Sequence, residues 1–285
     1  MELKTEQEIF ELEMISNYVV PIGIFIIALF ILYRLALIFQ FYYASLFNKP
    51  VFTHIYFNRN KLTLQQCAIL KQESIFYRQL DDKNKQYFEH RVATFIKEKE
   101  FVGHNELEVT EQMRVTIAAT AIMLTFGFKK YLLNLIETVI IYPKVYYSTS
   151  HNTYHKGEMN PQYKAIVFSW EDFEHGYKIG DDNLNLGIHE FGHAIHLSAS
   201  KSNDISSLIF NKGFKKLTQY LQHNKEVRQR LIASKYFRTY AYTNQYEFFA
   251  VLLENFIETP SQFKAQFPEL YKQMKHMLNF KFAGY

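Results

Sequence analysis

Residues 187 to 196 read "GIHEFGHAIH", three histidines and a glutamate inside an otherwise apolar run. On an α-helix, His189 and His193 stand one turn apart on one face, so two imidazole nitrogens can reach one ion. Glu190 points about 100° round the helix axis, too far to share that ion but beside any water it holds. This H-E-x-x-H spacing predicts a zinc site, one ion per chain, with Glu190 as general base. The helical pattern runs over 185–198, with Asp181, Asp182 and Asn183 available as its amino-terminal cap. His196 lies at i+7 on the same face and reads as a neighbour of the site.

A hydrolytic zinc site needs three protein ligands and a fourth position open to water. The single cysteine, Cys67, leaves histidine and carboxylate as the donors. It also excludes an internal disulfide and agrees with a reducing compartment. The third ligand is sought downstream in "YAYTNQYEFFAVLLENF" (240–256), where Glu247 opens an amphipathic helix and Glu254 follows two turns on. Asn244-x-x-Glu247 also has the form of a capping box, in which the glutamate bonds the cap residue's own N–H. Spacing alone leaves ligand and cap both open.

Around this centre the chain is long enough for a full-sized core. It has 285 residues with 27 Phe and 21 Tyr against 10 Gly and 6 Pro, which argues against long disordered tracts. Net charge is only +4, and no lysine/arginine block or zinc-finger spacing occurs, so no nucleic-acid partner is expected.

From Met14 to Tyr33 there is no charged residue, and the apolar run resumes after Arg34. About 20 apolar residues cross a bilayer as a helix. The division expected is an acidic tail over 1–13, a transmembrane helix over 14–43, a juxtamembrane connector over 44–61 and a catalytic domain over 62–285. The acidic start and the lack of a small-residue cleavage site argue for an anchor over a cleaved signal. Arg34, Lys49, Arg59 and Lys61 follow the span and only Lys4 precedes it, so the positive-inside rule puts the domain in the cytoplasm.

Helical patterns occupy 62–80, 84–98, 110–127, 204–222, 225–235, 244–258 and 260–281. "ETVIIYP" (137–143) and "KAIVFSW" (164–170) read as strands, and "STSHNTYHKGEMNPQ" (148–162) between them has loop composition. The fold expected is α+β: a mainly helical, zincin-like domain with a small β-sheet, preceded by one transmembrane helix. "IVFSW" (166–170), just upstream of the zinc helix, is expected to be an exposed sheet edge that pairs with extended substrate.

The stretches "MRVTIAATAIMLTFG" (113–127), "VIIYPKVY" (139–146), "IVFSW", "DDNLNLGIHEFGHAIH" (181–196) and "YAYTNQYEFFAVLLENFIETPSQFKAQFPELY" (240–271) together resemble the zinc-dependent peptidases typified by Mlc titration factor A. The likeness covers roughly residues 85 to 280. It implies His189, His193 and Glu247 as zinc ligands, Glu190 as the base, and Tyr240 facing the reacting carbonyl, where Tyr242 is a chemically equal competitor. It further implies a peptide or protein substrate, attack by a zinc-activated water, aminopeptidase action and a regulatory protein partner, but a membrane span is not typical of the family, so the bacterial inner membrane location expected rests on the apolar segment. Three positions depart from the family. Gly192 replaces an alanine, which costs the helix about 1 kcal/mol. His196 replaces an aspartate. Asn183 replaces a glycine, and asparagine best tolerates the left-handed conformation after glycine. The rival reading is a membrane-tethered regulatory protein with a structural or vestigial zinc site, which a closed four-ligand shell including His196 or Glu254 would favour.

Overall fold

The computed structural model describes residues 5–150 and 152–285. One continuous helix over Glu6–Phe47 opens the chain. It comprises α1 (Glu6–Met14), a π-helical stretch (Ile15–Val19) and α2 (Val20–Phe47). Thr5 and Glu8 close a capping box at its start, so the acidic segment is helical from Glu6 onward. Pro21 has no N–H to give Asn17, and the turn ahead of it widens to the π form. Asn48, at φ 50°, ends α2 in the left-handed conformation. The side chains of the span stand largely exposed until Gln40 and Tyr43, which are half-buried, and Ala44, which is buried against the rest of the molecule.

After a connector come α3 (Leu64–Glu73), α4 (Ile75–Gln79), α5 (Asp82–Glu98), β1 (Glu100–Gly103), α6 (Glu111–Leu124), β2 (Thr138–Tyr142), β3 (Tyr146–Ser148), β4 (Thr153–His155), β5 (Gly157–Asn160) and β6 (Ala165–Ser169). The carboxyl-terminal half holds α7 (Trp170–Lys178), α8 (Leu186–Ser200), α9 (Ile205–His223), α10 (Lys225–Ser234), a 3₁₀ turn (Thr239–Tyr242), α11 (Gln245–Glu258), α12 (Pro260–Gln266) and α13 (Pro268–Met277). The α+β class expected from the sequence is borne out.

Four strands form one sheet in the order β1-β2-β6-β5, parallel except for β5, and β3 and β4 form a separate hairpin. The expected edge strand is therefore not an edge. β6 pairs with β2 on one side and β5 on the other, and all five of its residues are buried. The edges are β1 and, on the side of β6, β5, "GEMN", inside the segment with loop composition. A strand with one open side has no need of the apolar, β-branched residues that mark a central one.

Local chemistry explains the remaining boundaries. Ser74 breaks the 62–80 pattern by capping α4, and Pro268 restarts the last helix. Arg91, fully buried without a carboxylate, donates to the carbonyls of Thr53, Thr125, Phe126 and Phe128, and to the hydroxyl of Tyr56. Five donors matched to five oxygens make that burial tolerable, and they fasten the connector to the loop after α6. The core encloses α8, whose Phe191 packs on Phe168 of β6 and Phe95 of α5. Apolar neighbours on several sides are the reason residues 186–195 look apolar all round.

Candidate metal centre and cleft

α8 begins at Asn185, whose side chain accepts from the Ile188 N–H at 3.0 Å. Asp181, Asp182 and Asn183, expected as caps, lie in the loop before it. Asn183 adopts φ 58°, the conformation for which it was expected to stand in for glycine. From this cap the helix carries His189 and His193 to one face and buries Glu190 beside them.

α11 brings the third carboxylate. Asn244 caps it by accepting from the N–H groups of Tyr246 and Glu247 at 2.8 and 3.0 Å. The Glu247 side chain turns instead toward the imidazoles, with Oε2 3.0 Å from His189 Nε2 and Oε1 3.4 Å from His193 Nε2. The two imidazole Nε2 atoms are 3.2 Å apart. A tetrahedral zinc ion with bonds of about 2.0–2.1 Å needs donors about 3.3 Å apart. The buried Glu247 Oε2 has no hydrogen-bond partner of good geometry, as befits an oxygen awaiting a cation. Among the described residues these three side chains form the one cluster able to hold a metal, so the donor set fits zinc.

Glu254, fully buried, stands behind this group. Its Oε1 lies 2.7 Å from His189 Nδ1 and its Oε2 accepts from the Asn185 N–H at 3.2 Å. Accepting the Nδ1 proton fixes the tautomer that leaves Nε2 free for an ion. Glu254 therefore sits on the far nitrogen of His189, away from the ion's side. Arg238 donates to Glu254 Oε1 at 2.5 Å and offsets its charge. Without metal, burial works to lower the His189 pKa, but Glu247 and Glu254 outweigh it and raise it to about 9. Metal uptake has to displace that proton. Burial raises the Glu190 carboxyl above its usual range, with both histidines pulling the other way.

A cleft of about 460 Å³ opens over the site, with Gly157, Asp172, His175, Glu190, Arg238 and Tyr240 in its wall. Tyr240 is half-exposed, its ring centroid 6.0 Å from that of His189. Tyr242 turns away and donates to the Leu231 carbonyl at 3.0 Å. His196 is packed against Phe214 and Tyr246 and takes no part in the cluster. At Gly157, on the edge strand, a Cβ would fall 2.8 Å from Glu190 Cγ and 2.7 Å from Leu186 Cδ1, so only glycine allows β5 this close to α8. Sequence reasoning missed Gly157 and Arg238. A glycine within a polar run was a usable hint for the first, but nothing marked the second.

A family profile described as glucose-regulated metallopeptidase M90 matches residues 53–279, most of the chain and all of the site. A Synechocystis protein bearing the name "Uncharacterized protein slr2042" is 24% identical over 230 residues, spanning 73% of this chain and 81% of its own.

Proposed function

Since the chain belongs to the glucose-regulated metallopeptidase family M90, we propose that it is a membrane-anchored zinc peptidase in which His189, His193 and Glu247 hold the ion and Glu190 moves the proton. The observation that carries this reading is the convergence of three donors, with no fourth among the described residues, from α8 and α11. Glu254 on Nδ1 and His196 among aromatic rings argue against the closed shell of a structural site.

Bound zinc would supply Lewis acidity, acidifying water and polarising a carbonyl. Glu190, buried at the cleft beside the two histidines, takes the proton from the attacking water and passes it to the leaving amine. Tyr240 presents its hydroxyl to the developing oxyanion, a task the position of Tyr242 does not suit. The open edge of β5, beside Glu190, offers main-chain hydrogen bonds to an extended peptide. The helix Glu6–Phe47 is long and apolar enough to anchor the chain, and the cations after it orient the domain to the cytoplasm. Action on short peptides as an aminopeptidase and a regulatory protein partner are carried by the family resemblance, and a bacterial inner membrane location by the apolar helix.

The test is Glu190→Gln, assayed for bound zinc and peptide hydrolysis together. Full metal content with at least a hundredfold loss of turnover is the expected outcome. Parental turnover would end the assignment.

A further inference from the structure

A second cavity, about 400 Å³, lies at the foot of α2, with Asn48, Lys212, Lys215, Lys216, Gln273 and His276 in its wall. Its position relative to a bilayer follows from length. The apolar stretch from Met14 to Phe47 would be roughly 50 Å long as a helix, against a hydrocarbon core of about 30 Å. Shared between the two ends, the surplus of about 20 Å sets the carboxyl end, where the helix meets the domain, about 10 Å beyond the hydrocarbon edge, at the outer side of the headgroup layer. Ala44 is buried there, Lys212 Nζ donates to the Ser45 carbonyl at 2.7 Å, and Lys129 Nζ donates to Gln40 Oε1 at 2.5 Å. Those contacts fasten α9 and the loop after α6 to the carboxyl end of α2.

The cavity's chemistry is specific. Among the described residues no carboxylate lines it, and no ion pair engages Lys215 or Lys216. The His276 pKa is lowered by burial first and then by Lys272, Lys216 and Lys281, with Glu269 opposing, so the cationic field extends beyond the wall itself. Gln273 is only 5% exposed, and its Oε1 has no hydrogen-bond partner. Its Nε2 donates to Glu269 Oε1 at 3.4 Å, which identifies the orphan atom as the acceptor. Cations around a buried, unused acceptor suit a phosphate that carries a hydroxyl-bearing group.

We propose that this cavity binds the headgroup of an anionic glycerophospholipid, with the lysines on the phosphodiester and Gln273 Oε1 accepting from a headgroup hydroxyl. The site rests on the anchor reading above. Its occupation would fix the domain's tilt on the membrane, since the lipid and α2 are then two attachments side by side.

The test uses the full chain reconstituted in nanodiscs of mixed phosphatidylcholine and phosphatidylglycerol, with retained lipid read by native mass spectrometry after detergent exchange. Wild type should retain phosphatidylglycerol in preference. Lys215→Ala with Lys216→Ala should cut that preference by about tenfold. Gln273→Leu should weaken discrimination between phosphatidylglycerol and phosphatidic acid, which lacks the hydroxyl, and a circular dichroism melt checks that each variant folds. Equal retention of both lipids by wild type, or an unchanged preference in the double lysine variant, overturns the proposal. So does complete displacement by millimolar inorganic phosphate, which would assign the cavity to a free anion. Alkaline carbonate extraction reads the anchor separately. Release from membranes sinks the anchor and the headgroup site with it, whereas an integral chain without lipid preference sinks the headgroup site alone.

Discussion

Gly157→Ala probes the contact between the sheet edge and the proposed base. The new Cβ would stand 2.8 Å from Glu190 Cγ, 3.0 Å from its Oε1 and 2.7 Å from Leu186 Cδ1. Carbon atoms rest about 3.5–4.0 Å apart, so the Glu190 side chain must retreat by roughly 0.7–1.2 Å. Gly157 is outside the left-handed region, so alanine brings no backbone strain of its own. A misplacement of about 1 Å in a reacting group costs on the order of 100-fold, or about 2.7 kcal/mol of transition-state stabilisation. The variant should therefore lose about 30–100-fold in kcat, while zinc content stays at the parental level because no ligand has moved. The assay is hydrolysis of a quenched fluorescent peptide alongside metal analysis. A variant that keeps both zinc and parental kcat would refute the claim that β5 sets the position of Glu190.

Other expectations follow from the same geometry. Glu254→Gln weakens the hold on the His189 Nδ1 proton and should raise the zinc dissociation constant about 10–100-fold, measured by competition with a chelating dye. Gly192→Ala meets Leu253 Cδ2 at 3.2 Å, a side-chain tip that can yield, so the helix-propensity gain should dominate. Stability in denaturant should rise by about 0.5–1 kcal/mol, and a net loss would show that Leu253 cannot yield. Burial raises the Glu258 pKa to about 7, with Asp182 and Glu254 adding and the Asn185 amide opposing. The folded chain thus keeps a proton that the unfolded chain releases near pH 4.5, so this stabilising contribution is present below 4.5 and lost as pH rises to about 7. Glu258→Gln should match wild type in acid and exceed it by about 2–3 kcal/mol at pH 8, and equal urea midpoints at pH 8 would contradict the linkage.

Much of this was legible in local patterns. The H-E-x-x-H pair, the helices on 3.6-residue spacing and the two apolar strands all depend on neighbours a few residues away, and they lie close to where the sequence puts them, with two helices divided at Ser74 and Pro268. The edge strand was misread for a physical reason. β6 is flanked by two strands and is apolar because it is buried, whereas β5 keeps one open side and so looks like a loop. Glu247 stayed ambiguous for a related reason. A capping box and a ligand share one spacing, and only the distance to His189, 58 positions earlier, separates them.

The sequence by itself determined the donor types, the helix that carries two of them, the family, and an anchor-length apolar segment, because these are properties of short-range order and composition. Tertiary structure alone decided which carboxylate faces the imidazoles, that Glu254 backs His189 from the other side, that Tyr240 and not Tyr242 borders the cleft, and that β5 rather than β6 is the edge strand beside the site. Those outcomes depend on how α8, α11 and the sheet pack in space, and packing joins residues far apart in the chain whose one-dimensional spacing carries no record of the contact.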